Sequence, residues 1–360
     1  MEHNKKKVGI IVRNLSQRGV NRFISNILYA VDSNQELHKK FSIYIIHNND
    51  GSKLMDGTPV HKSGKNIKKK CIQGKNVLFW DYLWSTFQLC KEDFDVVIYP
   101  KNNIPFTHIF CGHKRINVIH DLLDFSPVSK NRVLNSVYNR FFFRLSCRIS
   151  NKVIAISQST KKDIIKYLKI NKEKIKVIYE AVEDSFCLDK SSKTCEKLGV
   201  QKPFVLYVGS DRPRKNLKRV INSFSKIKER VTLVLVGNIK EDYKIRNVLN
   251  LRRVSDSDLI ALYNEAELFV FPSLYEGFGL PILEAQACGC PVLTSNVTSC
   301  PEVAGRGAHI VNPYSEKEIA IGIKKILYDS AYKKELKRKG YKNLERFSWR
   351  KSVKEIFALV

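Results

Sequence analysis

The feature that most constrains this chain is a repeated alternation of two hydrophobic patterns. Short continuous runs rich in Val, Ile, Leu and Phe occur at Val8–Val12, Phe41–His47, Val96–Tyr99, Ile116–Ile119, Val153–Ile156 and Ile175–Ile178. Amphipathic stretches such as Val20–Val31 and Lys161–Leu168 lie between them. A continuous apolar run is what a strand covered on both faces requires, and intervening helices make such strands parallel. The alternation then restarts, with strands at Phe204–Val208, Val231–Val236, Leu268–Phe271 and Pro291–Thr294, and helices at Leu217–Ile227, Asp256–Glu265 and Leu280–Ala287. Two successive arrays predict two Rossmann-like, doubly wound α/β domains with parallel sheets. The polar stretch EDSFCLDKSSKTCEKLGV marks the boundary, giving an N-terminal domain over residues 1–182 and a C-terminal one over 183–346. The final helical segment, about 347–360, is expected to pack back on the first domain. Open α/β sheets bind ligands beyond the carboxyl ends of their strands, so the domains are expected to face each other across a cleft lined by post-strand loops.

Composition narrows the function. With 43% hydrophobic and 27% charged residues over 360 positions, the chain is neither disordered nor fibrous. Its formal charge is +28, and residues 1–180 hold 32 basic against 14 acidic side chains. Such an excess favours an anionic partner, although a Lys-, Asn- and Ile-rich composition accounts for part of it. A nucleic acid is not the expected partner, because zinc spacing, RNP-like strings and a helix-turn-helix signature are missing. The start, MEHNKKKVGIIVR, is too short in apolar residues for a secretory leader, and no run approaches the ~18–20 residues of a membrane helix. The nine cysteines therefore read as reduced, cytoplasmic thiols, with no metal expected at Cys288-Gly-Cys290.

The most informative string is FPSLYEGFGLPILEAQACGCPV, residues 271–292. A strand runs into a Gly-containing loop, and a helix begins near Leu280. Glu276 precedes the helix and Glu284 lies inside it, with seven residues between them. Gly277 and Gly279 allow close backbone approach, and a helix start offers N–H groups and a positive dipole end to phosphate. A carboxylate beside such a site repels phosphate but accepts hydrogen bonds from neutral hydroxyls. A nucleotide sugar carries both a diphosphate and hydroxyls. Glu276 reads as a loop carboxylate that contributes little to the core, so its removal is expected to leave stability nearly intact.

This string resembles the signature of retaining glycosyltransferases of family 4, which have the GT-B fold. PRKNL at 213–217, VSDSDL at 254–259, PEVAG at 301–305 and RFSW at 346–349 agree in order, as do IHDL at 119–122, AISQST at 155–160 and VIYEAV at 177–182. The resemblance spans nearly the whole chain and extends to mannosyltransferase-like members of bacterial polysaccharide and lipopolysaccharide synthesis. It implies transfer of a hexose from a nucleotide sugar, with GDP-mannose favoured, to a saccharide or lipid-linked glycan. Glu276 would hold hydroxyls of the donor hexose and Glu284 those of the ribose. Backbone amides of Phe278, Gly279 and Leu280 would meet phosphate and sugar. Arg214 and Lys215 would neutralise the leaving diphosphate, so neither metal nor other cofactor is expected. Arg253, before VSDSDL, joins the donor-binding set. His120 would lie against the donor sugar, with Asp121 orienting it or capping the next turn.

Three departures stand out. Arg18 precedes Gly19 where the family usually has Gly-Gly, in a loop that would approach the diphosphate. Gly237 to Val254 spans only 17 positions, so a helix near the base site is missing or reduced. Glu180-Ala181 stands where Asn-Gly is usual.

Asp93-Phe-Asp95 and Asp256-Ser-Asp258 spell the metal signature of another glycosyltransferase fold. Asp93 precedes its strand, however, and Asp256 opens a helix with Ser255 as cap, so both read as structural. The basic stretch Lys130–Arg148 predicts a helix burying Leu134, Tyr138, Phe141 and Leu145, with Arg132, Arg140, Arg144 and Arg148 outward. Lys62–Lys70 reads as a solvated basic loop. The charge of the first half predicts peripheral attachment to an anionic membrane on its cytoplasmic face. Two alternatives remain open: a GT-B protein without catalysis that binds a partner, and a basic nucleic-acid-binding protein.

Overall fold

The computed structural model describes residues 5–12, 18–47, 66–72, 85–129, 133–189, 194–227, 231–241, 243 and 245–360. The chain divides into two compact units. One comprises Met1–Phe125, Lys130–Glu180 and Trp349–Val360, and the other Ser126–Ser129 and Ala181–Ser348.

The first unit carries strands β1 (Lys6–Val12), β2 (Phe41–His47), β3 (Lys68–Cys71), β4 (Val96–Tyr99), β5 (Lys114–Ile119), β6 (Lys152–Ala155) and β7 (Ile175–Val177). They form one sheet in the order β3-β2-β1-β4-β5-β6-β7, with every pairing parallel. The order reverses direction between β1 and β4, the switch point of a doubly wound sheet. Fully covered strands are apolar throughout: all four residues of β4 are buried. The helix Trp349–Phe357 belongs to this unit, where Trp349 meets the Phe23 ring at 5.8 Å.

The second unit carries β8 (Phe204–Ser210), β9 (Thr232–Asn238), β10 (Val248–Arg252), β11 (Leu268–Phe271), β12 (Val292–Ser295) and β13 (Ala308–Val311). Their order is β10-β9-β8-β11-β12-β13, again all parallel, with the switch point between β8 and β11. A buried core of Val205, Tyr207, Val220, Leu233, Leu235 and Val270, among others, lies under the helices Leu217–Phe224 and Glu316–Tyr328. β8 and β9 pair through Gly209 and Gly237, and a Cβ on Gly237 would lie 1.8 Å from the Gly209 carbonyl oxygen, so only glycine fits there. Between β9 and β10 no helix occurs among the described residues, where a parallel crossover ordinarily carries one.

Several expectations need correction. Lys68–Lys70, read as loop, belong to β3, an edge strand on which Lys68 lies over the Tyr44 ring and Lys70 pairs with Glu92. Charged side chains on an edge discourage pairing with other chains, and they hide the strand from an apolar-pattern search. The helix Val133–Ile149 is rotated from its predicted phase: Phe141 is 62% exposed, while Ser146 and Cys147 are buried. Three successive phenylalanines leave the phase ambiguous, and contacts decide it. Phe143 stacks on Phe125 at 6.1 Å, and Ser146 Oγ accepts from the Ile104 N–H at 3.0 Å. Arg140, Arg144 and Arg148 are exposed as expected, whereas Arg132 and the side chains of Leu134 and Tyr138 lie outside the described residues. Cys90 and Cys111, read as thiols, are joined in a disulfide with Cα atoms 4.7 Å apart, a proximity created by tertiary packing.

Candidate active site

The second unit gathers its chemistry beyond the carboxyl ends of β8 and β11, on both sides of its switch point. β8 leads into a 3-10 turn, Pro213–Lys215, and then into Asn216, which takes a left-handed conformation (φ 61°). The buried Asn216 amide donates to the carbonyls of Pro272 at 2.9 Å and Pro313 at 2.7 Å. One side chain thus ties the loops after β8, β11 and β13 together. The Leu274 N–H donates to the Arg214 carbonyl at 2.7 Å. From the other side, Ser299 Oγ donates to the carbonyls of Glu276 at 2.9 Å and Phe278 at 2.7 Å, and Thr298 Oγ1 accepts from the Glu276 N–H at 3.2 Å. Each such bond contributes about 1 kcal/mol, so the loop bearing Glu276 is held before any ligand arrives.

In that frame Lys215 Nζ donates to Glu276 Oε1 at 2.6 Å and Arg214 Nη1 to Glu276 Oε2 at 3.1 Å. Arg214 Nη1 also donates to the Tyr275 carbonyl at 3.2 Å, and Lys215 Nζ stands 4.8 Å from the Phe271 ring centre. Glu276 is only 9% exposed, which corrects the expectation of a loop carboxylate that contributes little to the core. Burial works to raise its pKa, but Lys215 and then Arg214 outweigh it and hold the carboxyl below its usual range. Burial also pulls the Lys215 ammonium below its usual value, against the attraction of Glu276 and with the repulsion of Arg214. Two cations share one carboxylate, and the buried Arg214 Nε has no partner among the described residues. The cluster therefore carries an excess positive charge and an unused N–H, a combination suited to an anion.

The helix Leu280–Ala287 starts beside this cluster, with Gly279 at its cap (φ 107°). A Cβ at Gly279 would be strained by that backbone and would sit 3.3 Å from Ile282 Cδ1. Phe278 is buried, with its ring edge-on to Phe347 at 5.8 Å, and Leu280 is half-buried. Glu284, one turn into the helix, is 2% exposed and accepts from Tyr263 Oη at 3.2 Å. Burial, and next the Glu284 charge, push the Tyr263 hydroxyl far above its usual range, so it stays a donor. Arg253 follows β10 and is exposed. Asp256 and Asp258 open the helix Asp256–Glu265 in a capping box with Ser255. Asp95 accepts from the Lys7 N–H at 2.7 Å. No group of three His, Cys, Asp or Glu converges among the described residues.

In the first unit His120 directly follows β5. Its N–H donates to Asn102 Oδ1 at 2.7 Å, and its Nε2 lies 2.8 Å from the Pro100 carbonyl oxygen. Nδ1 lies 3.4 Å from Glu180 Oε1, and the Phe23 ring stands edge-on at 4.8 Å. Asp121, the expected orienter or turn cap, accepts from the Leu123 N–H at 3.1 Å and so caps the turn. Gly19 lies in the first turn of the helix Arg18–Asp32, exposed, where a Cβ would meet nothing within 4 Å. Packing does not require glycine there. The loop preceding Arg18, expected to approach the diphosphate, lies outside the described residues.

Sequence reasoning missed the roles of Asn216, Ser299 and Tyr263, and noted Glu180 only as a departure from the family pattern. The first lies within the PRKNL string, but its partners are 56 and 97 residues away. Tyr263 lies one helix before Glu284 and carries no local signal.

The family model "Glycosyl transferases group 1" matches residues 191–343, and the model "Glycosyltransferase Family 4" matches residues 18–186. Over 294 residues the chain is 32% identical to the serotype-specific mannosyltransferase WbdA of Escherichia coli, covering 74% of this chain and 35% of that protein. The chain thus spans about a third of the length of that curated relative. It is 22% identical over 360 residues to the N-acetylgalactosamine-N,N'-diacetylbacillosaminyl-diphospho-undecaprenol 4-alpha-N-acetylgalactosaminyltransferase of Campylobacter jejuni, covering 95% of this chain and 96% of the relative. Anabaena Alr3699/HepE, solved in complex with UDP-glucose, superposes with a TM-score of 0.76 at 16% identity, covering 98% of this chain and all of the other. That likeness shows the α/β GT-B fold.

Proposed function

The chain belongs to the family 4 glycosyltransferases, and on that premise we propose that it is a retaining hexosyltransferase. It takes a hexose from a nucleotide sugar, with GDP-mannose the favoured donor, and passes it to a saccharide or lipid-linked glycan in cell-surface polysaccharide synthesis. The observation that carries this reading is the buried Glu276–Arg214–Lys215 cluster at the switch point of the second unit. As the bond from the anomeric carbon to the departing oxygen breaks, positive charge develops on the sugar and negative charge on the diphosphate. Arg214 and Lys215, already desolvated and held by Glu276, meet that negative charge without reorganising. The lone pairs of Glu276 not used by the cations accept from hexose hydroxyls, and Glu284 with Tyr263 is suited to ribose hydroxyls. In this reading neither metal nor other cofactor takes part.

The donor preference is supported by WbdA, a mannosyltransferase, and opposed by HepE, which holds UDP-glucose. The undecaprenol-linked substrate in the name of the Campylobacter jejuni relative supports a lipid-linked acceptor. Attachment to the cytoplasmic face of the membrane is proposed as peripheral, through the basic helix Val133–Ile149. Among the described residues no helix is long and apolar enough to cross a membrane.

A panel of nucleotide sugars tests the reading by thermal stabilisation and nucleotide release. A donor at a hundred times its Kd adds about 2.7 kcal/mol to the unit that binds it. Stabilisation with release supports the transferase. Stabilisation without release on any acceptor would leave a binding protein, and response to no donor would overturn the reading.

A further inference from the structure

We propose that Glu180 is a positioning residue that fixes the imidazole of His120 for the reaction, a role that rests on the transferase reading above. The first unit closes around this ring on three sides. Asn102 Oδ1 accepts from the His120 N–H at 2.7 Å, and Thr160 Oγ1 donates to the His120 carbonyl at 3.5 Å, so the backbone is fixed where β5 ends. The Phe23 ring packs against the imidazole at 4.8 Å with an interplanar angle of 90°, which crowds the ring on that side. Phe23 is itself backed by Trp349 of the C-terminal helix. What remains is rotation of the ring about its Cβ–Cγ bond, and the two nitrogens decide that.

The Pro100 carbonyl only accepts, so the Nε2 that lies 2.8 Å from it carries a hydrogen. Nδ1 then faces Glu180 Oε1 at 3.4 Å. A proton on either Nδ1 or the carboxyl closes that contact, and rotating the ring by half a turn would leave a buried nitrogen without a partner. Such a loss costs more than the bond itself contributes, because the ring is desolvated. The side chains are 10% exposed for His120 and 5% for Glu180. A buried carboxylate beside a histidine on a post-strand loop is the arrangement that fixes tautomer and orientation in other acid–base and metal sites. Here the carboxylate comes from 60 residues further along the chain, at the position where the sequence departs from the Asn-Gly usual in the family. Asp121, next to His120, is committed to the Leu123 N–H and does not substitute for it.

The test compares E180A and E180Q with the wild type in donor-saturated transfer and in the nitrogen-15 spectrum of histidine-labelled protein, with the His120 signals assigned by H120N. The amide of E180Q can donate to Nδ1 while Nε2 continues to donate to Pro100. The expected result is a kcat reduced tenfold or more in E180A with donor KM within threefold, and recovery to at least a third of the wild-type kcat in E180Q. The His120 ring nitrogens should show one fixed tautomer in wild type and E180Q and an averaged pattern in E180A. A kcat for folded E180A within threefold of wild type, or an E180Q as impaired as E180A, would overturn the proposal, as would an unchanged ring spectrum in E180A. The spectrum separates the two readings. If the wild type transfers nothing but its ring signal still depends on Glu180, the ring is held as proposed and the transferase reading fails.

Discussion

Lys215 Nζ and Glu276 Oε1 lie 2.6 Å apart and join the turn after β8 to the loop after β11, across the switch point of the second sheet. On the proposed reading the contact serves stability and function at once. It desolvates the ammonium proposed to meet phosphate, and it fixes the carboxylate proposed to receive hydroxyls. The two roles separate under mutation, because stability depends on the pair being matched and transfer depends on both members being present.

Replacing Glu276 by Ala should therefore lower stability as well as transfer. Removal of one partner from a buried pair costs about 3–5 kcal/mol, since Lys215 and Arg214 are left unmatched. The double variant K215M/E276Q should regain part of that stability, a non-additivity expected of residues in contact. It should regain no activity: kcat/KM should stay at least tenfold down, about 1.4 kcal/mol per decade. Urea unfolding beside a nucleotide-release assay reads both quantities. E276A with wild-type stability, or with more than a tenth of wild-type kcat/KM, contradicts the assigned geometry.

Transfer should survive EDTA. Arg214 and Lys215 are fixed cations already in place, and the Arg214 Nε–H has no partner among the described residues. Electrostatic stabilisation of this kind needs no added ion. Initial rates with and without excess chelator should agree within twofold. A strict need for Mn²⁺ or Mg²⁺ would show that the two side chains do not supply the charge.

Stability of the first unit should fall as pH drops below about 6.5. His113 is 4% exposed, with Nε2 3.0 Å from Tyr99 Oη. Burial, and then Arg115, hold its pKa down at about 4 from an ordinary 6.5. The unfolded chain thus takes up a proton more readily than the folded one. The sign follows: the stabilisation is complete above 6.5, is lost as pH falls toward 4, and changes no further below that. The window amounts to about 3 kcal/mol. H113Q should flatten the profile by most of that amount relative to wild type in urea unfolding at pH 7.5, 5.5 and 4.5. Parallel profiles would mean that His113 charges without penalty where it sits.

How much could be read beforehand followed from how local the physics is. Phe41–His47, Val96–Tyr99, Leu268–Phe271, Asp256–Glu265 and Leu280–Ala287 appear with the bounds their patterns predict. Burial on both faces writes a strand as an unbroken apolar run, and a Ser cap writes a helix start. Edge strands escape this logic. β3 is Lys-Lys-Lys-Cys and β10 is only partly buried, because an edge is half solvated. The string at the candidate site was legible since Glu276, Gly279 and Glu284 lie within nine residues on one loop and helix. The partners that set their chemistry were not. Arg214 and Lys215 could be named but not placed against Glu276, and Glu180 could be noticed only as an oddity. Pairings across 60 or more residues are fixed by topology, which no local pattern records.

The first unit should bind anionic membranes through one face of the helix Val133–Ile149. Arg140, Arg144 and Arg148 are exposed and recur every four residues, so they lie along one side. Phe141, 62% exposed, stands beside Arg140 and offers an aromatic ring at the height of the lipid headgroups. Basic residues near such a surface contribute about 1 kcal/mol each, so the three together shift binding by roughly a hundredfold. R140Q/R144Q/R148Q should lose that factor while keeping its fold, because exposed substitutions change stability by only about 0.5 kcal/mol. Salt should have the same effect, since the screening length falls from about 10 Å at 0.1 M to about 3 Å at 1 M. Sedimentation with phosphatidylglycerol-containing and pure phosphatidylcholine vesicles distinguishes charge from apolar attachment. F141S should weaken binding to the anionic vesicles further at any salt. Equal binding to both vesicle types, or binding indifferent to salt and to the arginine variant, would mean that the charge excess reflects composition and not a membrane face.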